Sequence, residues 1–235
     1  MSQSETLGLA IFVKTPGLSP LKTRLAADLQ QRGLDPEQAR TQATRLYRAS
    51  LRAVEAAVAT AQRRWPQLQP YYAVAEAAAL GHPRWRRWPR LWQGEGGLGA
   101  RQAAIHAQLL RRHAAAVLVG SDLPWLGPTH LDPALAALQA GRDWVIGPGV
   151  DGGYYLLGAR QALSAASYES VPYSSPDTLA RLLAVLPADA AIDRLPTLPD
   201  LDRLADLPAL LAQAPVGPNR VQRRLLRKLR AWKAP

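Results

Sequence analysis

The run at 114–120, AAAVLVG, has no polar face. A strand of that kind needs cover on both sides, which points to the interior of a sheet flanked by helices. The run at 7–13, LGLAIFV, is built the same way, with β-branched and aromatic members. Further strands are expected at 69–75, 143–147 and 152–158. Asp35-Pro36-Glu37-Gln38 offers an N-cap, a proline at the first helical position and a glutamine able to close a capping box, so a helix runs from there to about Arg64. Other helices are expected after the glycines at 94–99, after Asp132-Pro133 up to Gly141, after Ser175-Pro176-Asp177, and over 201–213. Strands alternating with helices predict a mostly parallel sheet covered on both faces.

The chain has 235 residues, of which 48% are apolar and 20% charged, which suits one globular domain with a substantial core. It has no cysteine, which removes disulfides, thiolate metal sites and a cysteine nucleophile together. The first residues, MSQSETLGLAIFVK, lack the basic stretch and small-residue cleavage site of a secretory signal, and no apolar run is long enough to span a bilayer. A cytoplasmic location is expected. The formal net charge of +11 favours anionic partners.

In sheets of this type ligands collect beyond the carboxyl ends of the strands. Three junctions there carry chemistry. After the first strand comes KTPGLSPLKTRLA, with Lys14, Lys22 and Arg24 around a loop shaped by Pro16, Gly17 and Pro20, and a short helix expected from Thr23. Fixed cations beside a helix amino terminus suit a di- or triphosphate, although the loop is not a P-loop. The preferred reading is a phosphate site; a solvated basic loop is the alternative. After 114–120 comes Ser121-Asp122, where the carboxylate serves either an Asx turn or a divalent cation held beside a phosphate. After 143–147, Asp151-Gly152-Gly153 reads as a hairpin turn, yet it also brings Asp151 and the hydroxyls of Tyr154 and Tyr155 to the ligand edge. Asp200 and Asp202 precede the last of these helices, either as caps or as a further acidic pair.

Gly94-x-Gly96-x-x-Gly99 has the spacing of a dinucleotide fingerprint, but that fingerprint belongs at the first strand–helix turn. Here it arrives mid-chain, and NAD is rejected. His82, His106, His113 and His130 show no zinc spacing, and no Gly-x-Ser-x-Gly elbow is present.

Four ordered segments, Lys14-Thr-Pro-Gly with Lys22-Thr-Arg24-Leu, Gly97-Leu-Gly-x-Arg101, Gly120-Ser-Asp122-x-Pro124, and Gly147-Pro-x-x-Asp151-Gly-Gly-Tyr154, resemble the DUF2064 group over about residues 7 to 213. That group is glycosyltransferase-A-like, within the nucleotide-diphospho-sugar transferase superfamily, and some of its members are named for arsenosugar biosynthesis. The first loop is also similar to that of 2-phospholactate guanylyltransferases. The resemblance implies a three-layer α/β/α Rossmann-like sandwich with a nucleotide over the strand ends. It implies nucleotide contacts from Lys14, Pro16, Gly17, Lys22, Arg24, Gly97, Leu98, Gly99, Arg101 and Ser121. Asp122 would hold Mg2+ or Mn2+, Asp202 best matches a second ligand with Asp200 in reserve, and Asp151, Gly152, Gly153 and Tyr154 would meet the acceptor or sugar. Lys22, Arg24, Asp122 and Asp151 would carry the chemistry. Gly97 stands where the family often has Asp, and Gln102 where it often has Met.

The expected activity is metal-dependent transfer from a nucleotide-activated donor to a small-molecule acceptor, with glycosyl transfer ahead of nucleotidyl transfer. The expected organisation is one domain over 1–215 with a basic amphipathic helix or tail over 216–235. That tail, RVQRRLLRKLRAWK, places Val221, Leu225, Leu229 and Trp232 at helical spacing. With RWRRWPR at 84–90 it raises a third reading, a non-catalytic binder of nucleic acid or an anionic membrane surface. A helix docked by its apolar stripe, with solvated arginines, is the reading preferred to it.

Overall fold

A computed structural model describes residues 6–232, with only the backbone described at Trp232. The amino-terminal stretch before Thr6, read above for its lack of a signal, and the Trp232 side chain lie outside what is described. Among the described residues the strands are β1 (Leu7–Val13), β2 (Leu68–Val74), β3 (Arg90–Trp92), β4 (Ala115–Val119), β5 (Trp144–Pro148), β6 (Tyr154–Ala159) and β7 (Ile192–Arg194). They form one sheet in the order β3-β2-β1-β4-β6-β5-β7. All neighbouring pairs are parallel except those of β6, which runs antiparallel to both β4 and β5. The sheet is therefore mostly parallel, as the alternation of strands and helices predicts.

Among the described residues the α-helices are α1 (Thr23–Gln31), α2 (Pro36–Arg64), α3 (Leu98–Leu110), α4 (Pro128–Gln139), α5 (Ala165–Glu169), α6 (Thr178–Ala184), α7 (Leu207–Ala212) and α8 (Arg220–Trp232). Strand alternation divides the core between two layers. Leu9, Ile11 and Val13 of β1 pack with buried residues of α1, α2, α4, α7 and α8 on one face. Ala10 and Phe12 face Ile105 and Leu109 of α3 on the other. Trp144, Ile146 and Leu157 extend that second layer against Tyr168 and Leu182 of α5 and α6.

Local chemistry explains the helix boundaries. Asp35 accepts hydrogen bonds from the backbone N–H of Glu37 and Gln38, both at 3.0 Å, and so caps α2. Asp132 does not cap α4. That helix starts four residues earlier, at Pro128 after Gly127, and Pro133 lies inside it. The Asp132 carboxylate is committed elsewhere, to the Trp65 indole at 2.9 Å and to Arg64 at 2.9 Å.

The amphipathic tail is helix α8, and two residues of its apolar stripe are docked. Leu225 and Leu229 are buried in the core layer of α2. Gln222, also buried, donates to the carbonyls of Pro124 and Leu126 just beyond β4. The segment 84–90 is docked as well, with Trp85 and Trp88 buried and Arg84 paired to Glu55 at 2.8 Å. No described helix is long and apolar enough to cross a membrane.

Candidate active site

β2 lies on one side of β1 and β4 on the other, so the chain changes direction across the sheet between β1 and β4. That switch point opens a crevice at the strand ends. A cleft of about 640 Å³ occupies it, lined by residues from all three junctions picked out in the sequence.

The first junction is held from beneath. The Tyr47 hydroxyl of α2 bridges the backbone of Lys14, accepting from its N–H at 3.0 Å and donating to its carbonyl at 2.9 Å. Buried Thr15 donates its N–H to the Glu76 carboxylate and accepts from the Trp85 indole at 3.1 Å. The turn that follows needs positive φ at Gly17 (96°). Pro16 and Gly17 thus shape the loop and do not line the cleft. Lys22 then enters α1 as its N-cap residue in the left-handed region, φ 48° and ψ 47°. A side chain with a Cβ pays roughly 1–2 kcal/mol there.

That strained residue is the centre of the site. Lys22 Nζ stands 2.5 Å from Asp122 Oδ2 and 3.6 Å from Asp202 Oδ1, with its side chain only 6% exposed. Arg24 reaches Asp202 Oδ2 at 3.0 Å from a more exposed position. Two carboxylates 80 residues apart in sequence thus converge on one ammonium. The 200–206 segment is drawn in by its own hydrogen bonds. Asp206 accepts from the N–H of Asp202 at 2.8 Å and of Arg203 at 2.6 Å, and Asp28 of α1 accepts from Leu204 N–H at 3.0 Å.

Charge follows from that packing. Burial works against the Lys22 ammonium, but the adjoining Asp122 carboxylate outweighs it and raises the lysine above its ordinary range. Burial likewise pushes Asp122 up, and Lys22 overrides it, holding the carboxyl below its ordinary range. Asp200 has no such cation in contact. Burial first, and then the neighbouring Asp122 charge, lift it to about 7.

The β5–β6 side of the cleft is different. Asp151 Oδ1 accepts from Gly153 N–H at 3.0 Å, an Asx turn at the antiparallel junction. Gly152 has φ 84°, and a Cβ there would stand 2.0 Å from the Pro176 carbonyl. It serves the turn and does not line the cleft, whereas Asp151, Gly153 and Tyr154 do. Tyr154 donates to Gln102 Oε1 at 2.5 Å across the cleft wall. Tyr155 points to the other face of β6 and donates to the Pro196 carbonyl at 3.0 Å.

At α3, Leu98 and Arg101 line the cleft, and Arg101 Nε donates to the Gly96 carbonyl at 3.0 Å. Gly97 is the N-cap residue. Gly99 serves packing, because a Cβ there would meet the Tyr168 carbonyl oxygen at 2.5 Å. Gly97 and Gly99 themselves lie outside the cleft lining, between and beside the lining residues Gly96 and Leu98. Lys14, Lys22, Arg24, Ser121, Asp122, Asp200 and Asp202 all line it. Sequence motifs gave no hint of Gln93, Tyr47, Tyr173 or Thr178, which line it too.

The donor set suits a hard cation in kind. Asp122 and Asp202 are oxygen ligands at an open cleft, and Mg2+ needs only one or two protein carboxylates, keeping waters for the rest. Among the described residues no group of three or more His, Cys, Asp or Glu is placed to hold a metal ion. Lys22 Nζ sits at the point on which both carboxylates converge.

The fold is shared with proteins of known structure. The chain is similar over 98% of its length to a candidate nucleotide-diphospho-sugar transferase from Desulfovibrio desulfuricans G20, of which it covers 96%, with a TM-score of 0.77 and 23% identity. It is similar over 89% to Rv0371c from Mycobacterium tuberculosis H37Rv, covering all of that chain (100%), with a TM-score of 0.51 and 15% identity. Over 88% it is similar to a CMP:2-keto-3-deoxy-manno-octonic acid synthetase complexed with CTP, covering 99% of that chain, with a TM-score of 0.50 and 12% identity. Identities this low speak for the fold alone. No curated protein matches the sequence. The family DUF2064, described as an uncharacterized protein conserved in bacteria, matches residues 36–175, more than half of the chain. The chain belongs to the DUF2064 family.

Proposed function

We propose that this protein is a transferase using a nucleotide-activated donor, and that its reaction is glycosyl transfer from a nucleotide-diphospho-sugar. The observation that carries the reading is the convergence of Lys22, Arg24, Asp122 and Asp202 at the switch-point cleft. A departing diphosphate concentrates negative charge, and preorganised cations in a desolvated site lower its barrier most. Lys22 and Arg24 meet the phosphates in this reading, with Lys14 at the rim. Asp122 and Asp202 would hold Mg2+ or Mn2+, which would neutralise the leaving diphosphate as a Lewis acid. Binding it requires the Lys22 ammonium to leave the carboxylates and turn to the phosphates.

On the β5–β6 side, Asp151 is the acceptor-side base, with Gly153 and Tyr154 beside the acceptor or sugar. The acceptor hydroxyl gives its proton to the Asp151 carboxylate while its oxygen bonds the anomeric carbon. The bond from that carbon to the diphosphate oxygen breaks, and the nucleoside diphosphate leaves. In this reading residues 1–215 form the catalytic unit, residues 216–235 carry the basic amphipathic helix that packs on it through Leu225 and Leu229, and the enzyme works in the cytoplasm.

Nucleotidyl transfer is the second reading. Three cations along the first loop suit a triphosphate, and the fold is shared with a synthetase complexed with CTP. Incubation with nucleotide sugars and with NTPs, each with Mn2+, separates the two. Free nucleoside diphosphate supports glycosyl transfer, and pyrophosphate supports nucleotidyl transfer. No product from any donor, together with no nucleotide-induced rise in melting temperature, would sink both.

A further inference from the structure

We propose that the strap 172–178, between α5 and α6, forms part of the acceptor subsite, and that this subsite takes a polyhydroxylated molecule carrying no phosphate or carboxylate. The inference rests on the glycosyl-transfer reading above and deepens it.

The strap lines the cleft through Tyr173, Ser174, Ser175 and Thr178. Among the described residues two that are not glycine hold positive φ, Lys22 at 48° and Ser174 at 59°, and both line this cleft. Such a backbone persists where its surroundings over-determine it, and it gathers at working sites. Here the surroundings do so. The Thr178 hydroxyl lies 2.7 Å from the Pro172 carbonyl oxygen and 2.8 Å from that of Ser175, and it accepts from the Ser175 N–H at 3.2 Å. The Leu179 N–H donates to the Gly152 carbonyl at 2.9 Å, which ties the end of the strap to the turn that carries Asp151.

Ser174 takes no part in that network. It is exposed, and neither its hydroxyl nor its N–H bonds any described residue. The fold thus holds a strained serine at the cleft with its donors free.

The chemistry around the strap sets the class of molecule. Between Gly149 and Asp202 the lining carries the carboxylates Asp151 and Asp200 and the strap hydroxyls, and among the described residues it carries no lysine or arginine. Asp151 is near enough to Asp200 for its charge to act on it. The cations of the cleft come from the first loop and from α3. Lys22 and Arg24 are paired with Asp122 and Asp202 and belong to the donor diphosphate in the reading above, while Arg101 is held by the Gly96 carbonyl at 3.0 Å. An anionic group on the acceptor would meet Asp151 and Asp200 with no cation of this wall to offset them, and such like-charge contact selects against a ligand. Ionised carboxylates only accept hydrogen bonds, whereas a serine hydroxyl both donates and accepts. A molecule with several hydroxyls, such as a sugar or polyol, satisfies both kinds of partner and supplies the hydroxyl that Asp151 deprotonates.

The test uses the full chain with Mn2+ and nucleotide sugars labelled in the sugar. A bacterial metabolite extract is passed over an anion exchanger, and the flow-through and the eluted anions are offered separately as acceptors. Label should move into a new product with the flow-through. Transfer to the eluted anions in preference to the flow-through overturns the proposal while leaving glycosyl transfer intact. No transfer with either fraction brings down the glycosyl-transfer reading itself. Ser174→Gly then removes the hydroxyl while suiting the left-handed backbone, so the variant should melt no lower than wild type. The amount of flow-through needed for half-maximal rate should rise about three- to tenfold, the worth of one hydrogen bond, with donor binding unchanged. An unchanged acceptor requirement removes the strap from the acceptor subsite.

Discussion

At the mouth of the cleft, Lys22 and Arg24 stand within 3.6 Å of Asp122 or Asp202, whereas along α8 Arg224, Arg227 and Lys228 form no ion pair with any described residue. Both regions are runs of cations in sequence. In the first, opposite charges arrive from distant segments and the lysine side chain loses nearly all its exposure. In the second, Leu225 and Leu229 are buried and the charges are left to water. The net charge of +11 therefore says little about where function lies. What separates the two regions is whether the fold spends other groups on holding a charge in place. At Lys22 it does, even at the cost of a left-handed backbone.

The largest expected effect follows from removing that central charge. Lys22→Ala should lower turnover with the preferred donor by about 10²–10³, the typical loss for one preorganised group in a desolvated site. Circular dichroism should show a folded protein. Wild-type turnover in this variant would place Lys22 with the solvated cations of α8 and dissolve the contrast.

Next come the carboxylates. Asp122→Asn should reduce Mn2+-dependent activity more than Asp202→Asn, because Asp122 makes the closer contact with Lys22 at the end of a central strand. An amide oxygen can still coordinate a divalent ion, so neither change need abolish binding. Measuring activity against Mn2+ concentration for both variants checks the order. A milder loss at Asp122 would shift the main ligand to the 200–202 segment.

In the core behind α3, a pH effect of intermediate size is expected. His106 of α3 is fully buried beside the Tyr168 hydroxyl, and burial lowers its imidazole to about 4. The folded protein therefore refuses a proton that the unfolded chain takes at about 6.5. Stability from this group is complete above about pH 6.5 and falls as pH drops toward 4, by about 3 kcal/mol in all. His113 and His130, also lowered by burial, act in the same direction. Urea unfolding from pH 7 to 4.5 should show a shallower pH dependence in His106→Gln than in wild type. Identical slopes would remove His106 as a source of it.

The contrast between the two regions also marks what a sequence can disclose. Strands β1, β2, β4, β5 and β6 were legible because each buries a run of apolar residues long enough to stand out. β3 and β7 have three residues each and carry no such run. The start of α4 was misplaced because Asp132 looks like a cap locally, and only the fold reveals that Trp65 and Arg64 claim its carboxylate. Lys22, Asp122 and Asp202 could be singled out by type and by their place after strands. Gln93 could not, since its fixed orientation comes from the carbonyls of β1 and β2, more than a motif's length away. Gly99 shows the reverse: its spacing suggested a ligand loop, and its reason is the approach of α5.

The smallest effect belongs to α8. Arg224→Gln with Arg227→Gln should change stability by no more than about 0.5 kcal/mol, as for surface positions without a partner. Turnover should stay at the wild-type value. Leu229→Ala on the same helix should cost about 2–5 kcal/mol, because it removes a buried side chain from the layer over α2. Leu225 and Leu229 of the stripe are already used in that packing, which leaves this surface mainly electrostatic attraction. At physiological ionic strength such attraction is screened beyond about 8 Å. Cosedimentation with anionic vesicles, and binding to duplex DNA, should therefore be weak at 0.15 M salt and unaltered by the double glutamine change. If wild type instead binds either polyanion with steep salt dependence, and the double variant loses that binding, the cations of α8 serve a partner, and burial of a charge is no longer what distinguishes the working cations from the rest.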